Sequence, residues 1–341
     1  VPEQSSVLST VLNPRGDGPL TGVVDLAIGD LHTCAALADG HAVCWGANEQ
    51  GQLGRGTADS DRGLLPGYVL DPSGATPLTG VTDVSAGWKV GCARLTSGQA
   101  RCWGYNAYGQ LGDQTTVGSS LPVAVLGSAP GEPLTGIRDL ANQFHNTCAL
   151  LDGGQARCWG RGPLGDGTNT SSLSPVIVSN EDGSGPLVDV RSISATFGHV
   201  CVTTGDGHAA CWGQLNYEVG PLATRPRLLV RDGEPLTGVT GVAAGYTHTC
   251  AVADGAVLCA GDNEMGQLGD GSPGPTRRSF APVVDVRGLA GSGASMVSAG
   301  YRHSCTVHSH GQVACWGSNG NGRLGDGTQF DRPFAVPVID P

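Results

Sequence analysis

The sequence predicts an all-β chain folded as a single β-propeller of six four-stranded blades, with one cross-strand disulfide in each blade. Three observations lead there. Twelve cysteines fall into six pairs: Cys34 with Cys44, Cys92 with Cys102, Cys148 with Cys158, Cys201 with Cys211, Cys250 with Cys259 and Cys305 with Cys315. Successive pairs stand 58, 56, 53, 49 and 55 residues apart. A repeat of that length is one supersecondary unit copied along an array. Each copy offers four short strands and no helical periodicity, which describes a propeller blade. Glycine, 56 of 341 residues, recurs at fixed places in the repeat beside 21 prolines. That marks constrained turns and not a flexible linker.

In the first repeat the strands are expected over residues 23–28, 33–37, 41–46 and about 66–70. The second and third form a hairpin around Asp39-Gly40, a strong turn signal. A three-residue loop with a left-handed glycine at Gly40 pairs Leu37 with His41 and sets Cys34 opposite Cys44. The fifth repeat is one residue shorter between its cysteines. There Asp254-Gly255 reads as a two-residue type I′ loop, which again sets Cys250 opposite Cys259. Loop and cysteine spacing shorten together, as they must if the two sulfurs face each other. Directly opposed residues approach to about 4.5–5.5 Å at Cβ, near disulfide geometry. The connector that follows carries Pro-Leu-Thr-Gly at Pro19, Pro77, Pro133 and Pro235, with Pro186-Leu-Val-Asp as a variant.

The repeat units run approximately over 19–76, 77–132, 133–185, 186–234, 235–290 and 291–341, all within one domain spanning 1–341. Residues 1–18 hold a fourth-type strand over 7–12 and a connector. Pairing that strand with the C-terminal one over 332–339 would close the ring and remove exposed edges.

A metal centre is the rival use of the cysteines. His32-Thr33-Cys34 puts an imidazole and a thiol on one strand face, and the pattern recurs at His199, His248 and His303. Val90 and Asn146 replace the histidine in the other two repeats while their cysteine pairs persist. Disulfides are therefore preferred and no metal is expected. With every cysteine paired, no catalytic thiol is expected either. Six disulfides point to an oxidising compartment, hence a secreted, periplasmic or cell-surface location. The chain begins at Val1, which suggests a processed or excised segment. No apolar run approaches the ~20 residues of a spanning helix, and no membrane insertion is expected. Net charge is −11, and Lys89 is the only lysine. Binding to nucleic acid needs clustered positive charge and is disfavoured. The acidity is expected to reflect a solvated surface.

The repeated pieces are specific. Gly29-Asp-Leu-His32 leads into the hairpin, and Trp45-Gly-Ala-Asn48 with Gly51-Gln-Leu-Gly54 follows it. Trp103-Gly-Tyr-Asn106 with Gly109-Gln-Leu-Gly112 and Trp316-Gly-Ser-Asn319 with Gly322-Arg-Leu-Gly325 repeat the pattern. It resembles the regulator-of-chromosome-condensation (RCC-type) repeat family of β-propellers over essentially the whole chain, and is closest in flavour to secreted bacterial members that inhibit β-lactamases. The fifth repeat lacks the tryptophan (Cys259-Ala260-Gly261), and the fourth lacks Gly-Gln-Leu. Family members usually have seven blades, so a seven-bladed ring or a fragment of a larger one is the alternative to six.

Tryptophans of Cys-Trp-Gly and histidines two residues before each first cysteine are expected to pack one blade on the next. The Leu-Gly-Asp-Gly-Thr runs, as at residues 164–168 and 324–328, are expected to be turns and not calcium loops. One position departs from this logic. Four residues before each first cysteine stand Asp30, Trp88, Phe144, Phe197, Tyr246 and Tyr301, five aromatics in a chain only 5% aromatic. The following residue varies freely: Leu31, Lys89, His145, Gly198, Thr247, Arg302. In an up-and-down blade the loop after the third strand emerges on the same side. Residues 48–49, Tyr105 and Tyr108, Tyr217 and its neighbours, and 263–264 should then flank the rings. Rings of mixed type among polar residues are what interface hot spots are made of; packing against an inner channel is the competing reading.

No nucleophile–base pair, carboxylate dyad or cofactor motif stands out, so the expectation is a non-catalytic protein without cofactor. The resemblance implies an adhesin- or inhibitor-like propeller with a protein partner. A glycan-binding, lectin-like role is the alternative. Guanine-nucleotide exchange on a small GTPase with chromatin binding, known in the family, fits the disulfides and acidity poorly. Light sensing of the plant ultraviolet-B kind needs clustered surface tryptophans, whereas five of six here hold core positions.

Overall fold

A computed structural model describes residues 10–60, 63–129, 131–215, 222–288 and 291–339. Six four-stranded antiparallel sheets follow one another, each built from consecutive strands. The first holds β1 (Val23–Ile28), β2 (His32–Leu37), β3 (Ala42–Gly46) and β4 (Gly63–Tyr68). The second holds β5 (Val81–Ala86), β6 (Val90–Leu95), β7 (Ala100–Gly104) and β8 (Ser119–Ala124). The third holds β9 (Ile137–Asn142), β10 (Asn146–Leu151), β11 (Ala156–Gly160) and β12 (Ser172–Ile177). The fourth holds β13 (Val190–Ala195), β14 (His199–Thr204), β15 (Ala209–Gly213) and β16 (Ala223–Leu228). A two-stranded ribbon, β17 (Val230–Arg231) with β18 (Glu234–Pro235), precedes the fifth sheet. That sheet holds β19 (Val239–Ala244), β20 (His248–Ala253), β21 (Ala256–Asn263) and β22 (Gly274–Pro282). The sixth holds β23 (Ala294–Ala299), β24 (His303–His308), β25 (Val313–Gly317) and β26 (Arg332–Pro337). The fold is a six-bladed β-propeller with one disulfide per blade.

The hairpin geometry is as expected. Across the central pair of strands Cys34 faces Cys44, Cys92 faces Cys102 and Cys148 faces Cys158. In the later sheets Cys201 faces Cys211, Cys250 faces Cys259 and Cys305 faces Cys315. In all six pairs the Cα atoms lie 4.0–4.1 Å apart and the sulfurs are bonded. Cys158, Cys211 and Cys315 are buried, like Cys44, Cys102 and Cys259, so each bridge is a rung inside its blade. Gly40 takes a φ of 83°, while in the shorter fifth repeat both Asp254 (φ 50°) and Gly255 (φ 74°) are left-handed. Two consecutive positive φ angles define the type I′ loop. The fourth strand differs: β4 starts and ends a few residues earlier than expected. Val69 and Leu70 stay extended, but donate to Ala42 O and to Gly54 O in a loop outside the ladder.

By its packing the chain divides into two compact units, 10–193 and 194–341. In the first, Leu53, Val69, Leu78 and the Cys34–Cys44 bridge bury against Val81, Val84 and Trp103 of the next repeat. One step along, Leu111, Val125, Leu134 and the Cys92–Cys102 bridge pack against Ile137, Ala149 and Trp159. In the second unit, Leu268, Val283 and the Cys250–Cys259 bridge pack against Val297 and Trp316. Tryptophan is thus the block that fills these three inter-sheet gaps, where an indole N–H taken out of water gains from an acceptor. Trp103, Trp159 and Trp316 donate to the backbone oxygens of Gln52, Gln110 and Gln267 in the preceding repeat, at 2.8, 3.0 and 2.9 Å.

The Gly-x-x-His motif has an equally local cause. A Cβ on Gly29, Gly245 or Gly300 would stand 2.3–2.4 Å from its nearest neighbour, with His32, His248 or His303 Cε1 at 2.4–2.5 Å. The imidazole lies flat on the glycine. His199 and His248 then reach the hydroxyls of Thr249 and Ser304 in the next sheet, at 2.8 and 2.7 Å. Of the N-terminal strand expected over 7–12, residues 7–9 lie outside the described residues. Leu12 bridges Pro19 as Leu70 bridges Pro77, and the sixth sheet takes all four strands from its own repeat.

Candidate functional site

Every sheet ties its first loop to its last by the same backbone bond. The residue after each Trp-Gly, or Ala260-Gly261, donates to the carbonyl of the freely varying position. Ala47 bonds Leu31, Tyr105 bonds Lys89, Arg161 bonds His145, Gln214 bonds Gly198, Asp262 bonds Thr247 and Ser318 bonds Arg302, all at 2.8–2.9 Å. The bond needs only a backbone, so the side chain is released to vary. It also places both loops on one side of each sheet, as expected.

In the unit 10–193 these loops assemble an aromatic cluster. Trp88 and Phe144, from adjacent repeats, stack with centroids 3.9 Å apart at 20°. Tyr105 stands edge-on to Trp88 at 5.8 Å, and His145 stands edge-on to both Phe144 (4.1 Å) and Tyr108 (4.5 Å). Cations border the rings: Lys89 Nζ lies 4.4 Å from the Trp88 centroid, and the Arg161 guanidinium 5.3 Å from Tyr108. Burial among the rings, with the Arg161 charge adding to it, lowers His145 to about 4. The imidazole is neutral at physiological pH, so the cluster presents flat uncharged rings with positive charge at the border. Its aromatic members are half-buried.

The unit 194–341 carries a second cluster from the same repeat position. Tyr246 and Tyr301 stack at 4.1 Å and 19°, and Phe197 stands edge-on to Tyr246 at 4.6 Å. The Arg302 guanidinium lies 5.8 Å from the Tyr301 ring centroid. Tyr301 is 47% exposed. A hydrogen bond with Tyr301 raises the Tyr246 phenol above its ordinary value.

The remaining candidates are placed differently. Asp30 is exposed and joins neither cluster. Tyr217 lies outside the described residues. Asn48, Asn106, Asn263 and Asn319 are buried staples. Each Oδ1 accepts the backbone N–H of a loop leucine (Leu53, Leu111, Leu268, Leu324), while Nδ2 donates across the loop to Thr57, Thr115, Ser272 or Thr328. Asn48 and Asn263 thus shape the loop instead of offering an amide to a ligand, because its inward donors and acceptors have no water to satisfy them. In the Asp-Gly-Thr runs, Asp166 and Asp326 accept bonds from Thr168 and Thr328, and Asp326 pairs with Arg332. Arg161 is the site residue that sequence reasoning missed. Its signal is position alone, as the counterpart of Tyr105 in the next repeat.

The family model of the RCC1-like domain matches residues 3–339. The chain belongs to the RCC1-like domain family. Over 336 residues it is 30% identical to the ultraviolet-B receptor UVR8 of Arabidopsis thaliana, covering 95% of this chain and 71% of the receptor. It is 28% identical to protein pim1 of Schizosaccharomyces pombe, over 99% of this chain and 66% of that protein. The human E3 ubiquitin-protein ligase HERC2 is also 28% identical across 89% of this chain, which spans only 6% of the ligase. Among solved structures, human WBSCR16 superposes with a TM-score of 0.78 at 22% identity, covering 94% of this chain and 82% of that one. Prp20p of Saccharomyces cerevisiae, whose binding to Gsp1p and histones is described with its structure, gives 0.72 at 20%, with 92% and 76% covered. At these identities the structural likeness speaks for the fold. Within this RCC1-like chain, Trp103, Trp159, Trp212 and Trp316 are wholly buried and Trp45 is half-buried in the core. Trp88 is the one tryptophan that enters an aromatic cluster of the loops.

Proposed function

We infer that this RCC1-like propeller is a non-catalytic recognition protein that binds a protein partner through the aromatic clusters of its loops. The observation that carries the reading is the stacking of Trp88 on Phe144 and of Tyr246 on Tyr301, with Lys89, Arg161 and Arg302 beside the rings. Stacked rings are rigid and half-hydrated, so a partner gains apolar contact at small entropic cost. The flanking cations add attraction for acidic or aromatic groups. Six disulfides favour action in an oxidising compartment, as a secreted or cell-surface protein of adhesin or inhibitor type. Among the described residues no helix is long and apolar enough to cross a membrane.

The test is a comparative capture from an extracellular proteome with two double variants, Trp88→Ala with Tyr108→Ala and Tyr246→Ala with Tyr301→Ala, and thermal melting alongside. The reading expects a specific partner of the wild type to be lost from at least one variant whose melting is unchanged. Retention of every partner by both variants would exclude the rings from the interface, and unfolding of both would place them in the core.

A further inference from the structure

The two aromatic clusters differ in the chemistry open to their rings. In the unit 10–193 the stacked pair is Trp88 on Phe144, and the tyrosines Tyr105 and Tyr108 stand edge-on, with centroids 6.4 Å apart at 69°. In the unit 194–341 the stacked pair is two phenols, Tyr246 and Tyr301, with centroids 4.1 Å apart at 19°. The backbone sets this pairing. Tyr246 N–H donates to Gly300 O at 3.1 Å, tying the loop between β19 and β20 to the loop between β23 and β24. Phe197 stands edge-on to both rings, at 4.6 and 6.3 Å, and borders the pair. The two phenols also share a hydrogen bond. Joined oxygens on stacked rings bring the ortho carbons of the two rings face to face, near van der Waals contact. That is the starting geometry for a bond between them.

The surroundings favour reaction at this pair. Tyr301 is 47% exposed, so an oxidant reaches it from solvent. All twelve cysteines are already bonded, and no thiol takes the oxidant first. Each of the six disulfides closes a hairpin within one sheet, and none joins two sheets.

We propose that Tyr246 and Tyr301 form an oxidative cross-linking site, coupled as dityrosine by hydrogen peroxide through a haem peroxidase of the same oxidising compartment. Each phenol loses one electron and one proton and becomes a phenoxyl radical. A carbon–carbon bond forms between the two ortho positions, and the hydrogens there shift to the oxygens, restoring two phenols. Hydrogen peroxide takes up the two electrons and two protons and leaves as two waters. The product is a covalent bridge between the fifth and sixth sheets, which the disulfides do not supply, and it fixes the second ring cluster in its stacked form. No binding partner takes part, so cross-linking succeeds or fails independently of partner recognition.

The test treats the folded full-length protein with a haem peroxidase and hydrogen peroxide. Dityrosine fluorescence is read, and linked peptides are mapped by mass after disulfide reduction and tryptic digestion. The expected product is a monomer in which the peptides carrying Tyr246 and Tyr301 are joined with loss of two hydrogens. Its yield should be unchanged by about tenfold dilution, because the stacked rings react within one molecule. Tyr246→Phe and Tyr301→Phe each keep two rings but lose one phenol, and each should lower the monomer's dityrosine signal at least about tenfold. Tyr68→Phe, a tyrosine packed on His41 in the first sheet, should leave the signal unchanged. No Tyr246–Tyr301 peptide from the wild type, a yield that falls with dilution, or a signal that survives in the Tyr246 and Tyr301 variants would each overturn the proposal. The peptide map requires only the wild-type protein, so the outcome stands even if a variant does not fold.

Discussion

Replacing His248 by asparagine, the residue that the third repeat carries at this position as Asn146, should flatten the acid sensitivity of the fold. Burial lowers His32, His199 and His303 to about 4 and His248 to about 3, each from an ordinary value of 6.5. For His248, the neighbouring His199 and His303 add to the effect of burial. Below pH 6.5 the unfolded chain takes up protons that the folded chain refuses, so stability falls as pH drops from 6.5 towards 4. A histidine that stays neutral when folded costs about 2 kcal/mol at pH 5 relative to neutral pH. Asp139 works the other way. Burial first, then the carboxylates of Asp83 and Asp25, raise it to about 6 against a hydrogen bond from Leu140. It offsets about 1.5 kcal/mol over the same interval. The four core histidines, with His145 of the loops acting in the same direction, outweigh one aspartate, so net acid destabilisation is expected. Urea unfolding at pH 7.5 and pH 5, with disulfides intact, should show that His248→Asn loses about 2 kcal/mol less than the wild type over this interval. The bond to Ser304 is lost at both pH values and cancels in the difference. Equal losses in the two proteins, or a His248 ring signal titrating near 6.5, would refute the argument.

Removing the fifth bridge as Cys250→Ser with Cys259→Ser should lower stability by roughly 2–3 kcal/mol, the chain-entropy value for a loop of about ten residues, read from the urea midpoint. Trp316→Ala should cost more, about 3–5 kcal/mol, because the side chain is fully buried and its N–H satisfies Gln267 O across the sheets; thermal melting checks it.

What the sequence disclosed was chemistry confined to a few consecutive residues. The loop of Asp254-Gly255 and the facing of Cys250 and Cys259 follow from turn rules alone, and both are present. The same rules set Cys158, Cys211 and Cys315 opposite their partners in the longer hairpins. The start of β4 was misplaced because an outer strand has no tight turn to fix its register; its limit is set by the bulge that pairs Gly46 with Gly63. Asn48 read as a surface polar residue because its partners, Leu53 and Thr57, are chosen by the path of the loop and not by neighbouring residue types. The aromatic position was visible as a repeated anomaly. That Trp88 stacks on Phe144 and Tyr246 on Tyr301 was not, since these ring contacts join residues more than fifty positions apart.

The two irregular repeats explain each other once that distance is bridged. Trp103, Trp159 and Trp316 donate to a Gly-Gln-Leu-Gly loop of the repeat before them. The fourth repeat lacks that loop sequence, and the fifth is the one without a tryptophan, with Ala260 buried in its place. An indole there would bury its N–H beside a loop that lacks the acceptor sequence, at a cost of about 1–3 kcal/mol. Loss of the loop in one repeat therefore disfavours tryptophan in the next. The fourth repeat shows that the coupling is a preference: it follows a third repeat that reads Gly162-Pro-Leu-Gly165, yet keeps Trp212 buried with its indole N–H unpaired among the described residues. The packing unit in this propeller is the gap between sheets, not the repeat as written along the chain. Departures from the repeated pattern are therefore read in neighbouring pairs of repeats, as with the fourth and fifth here.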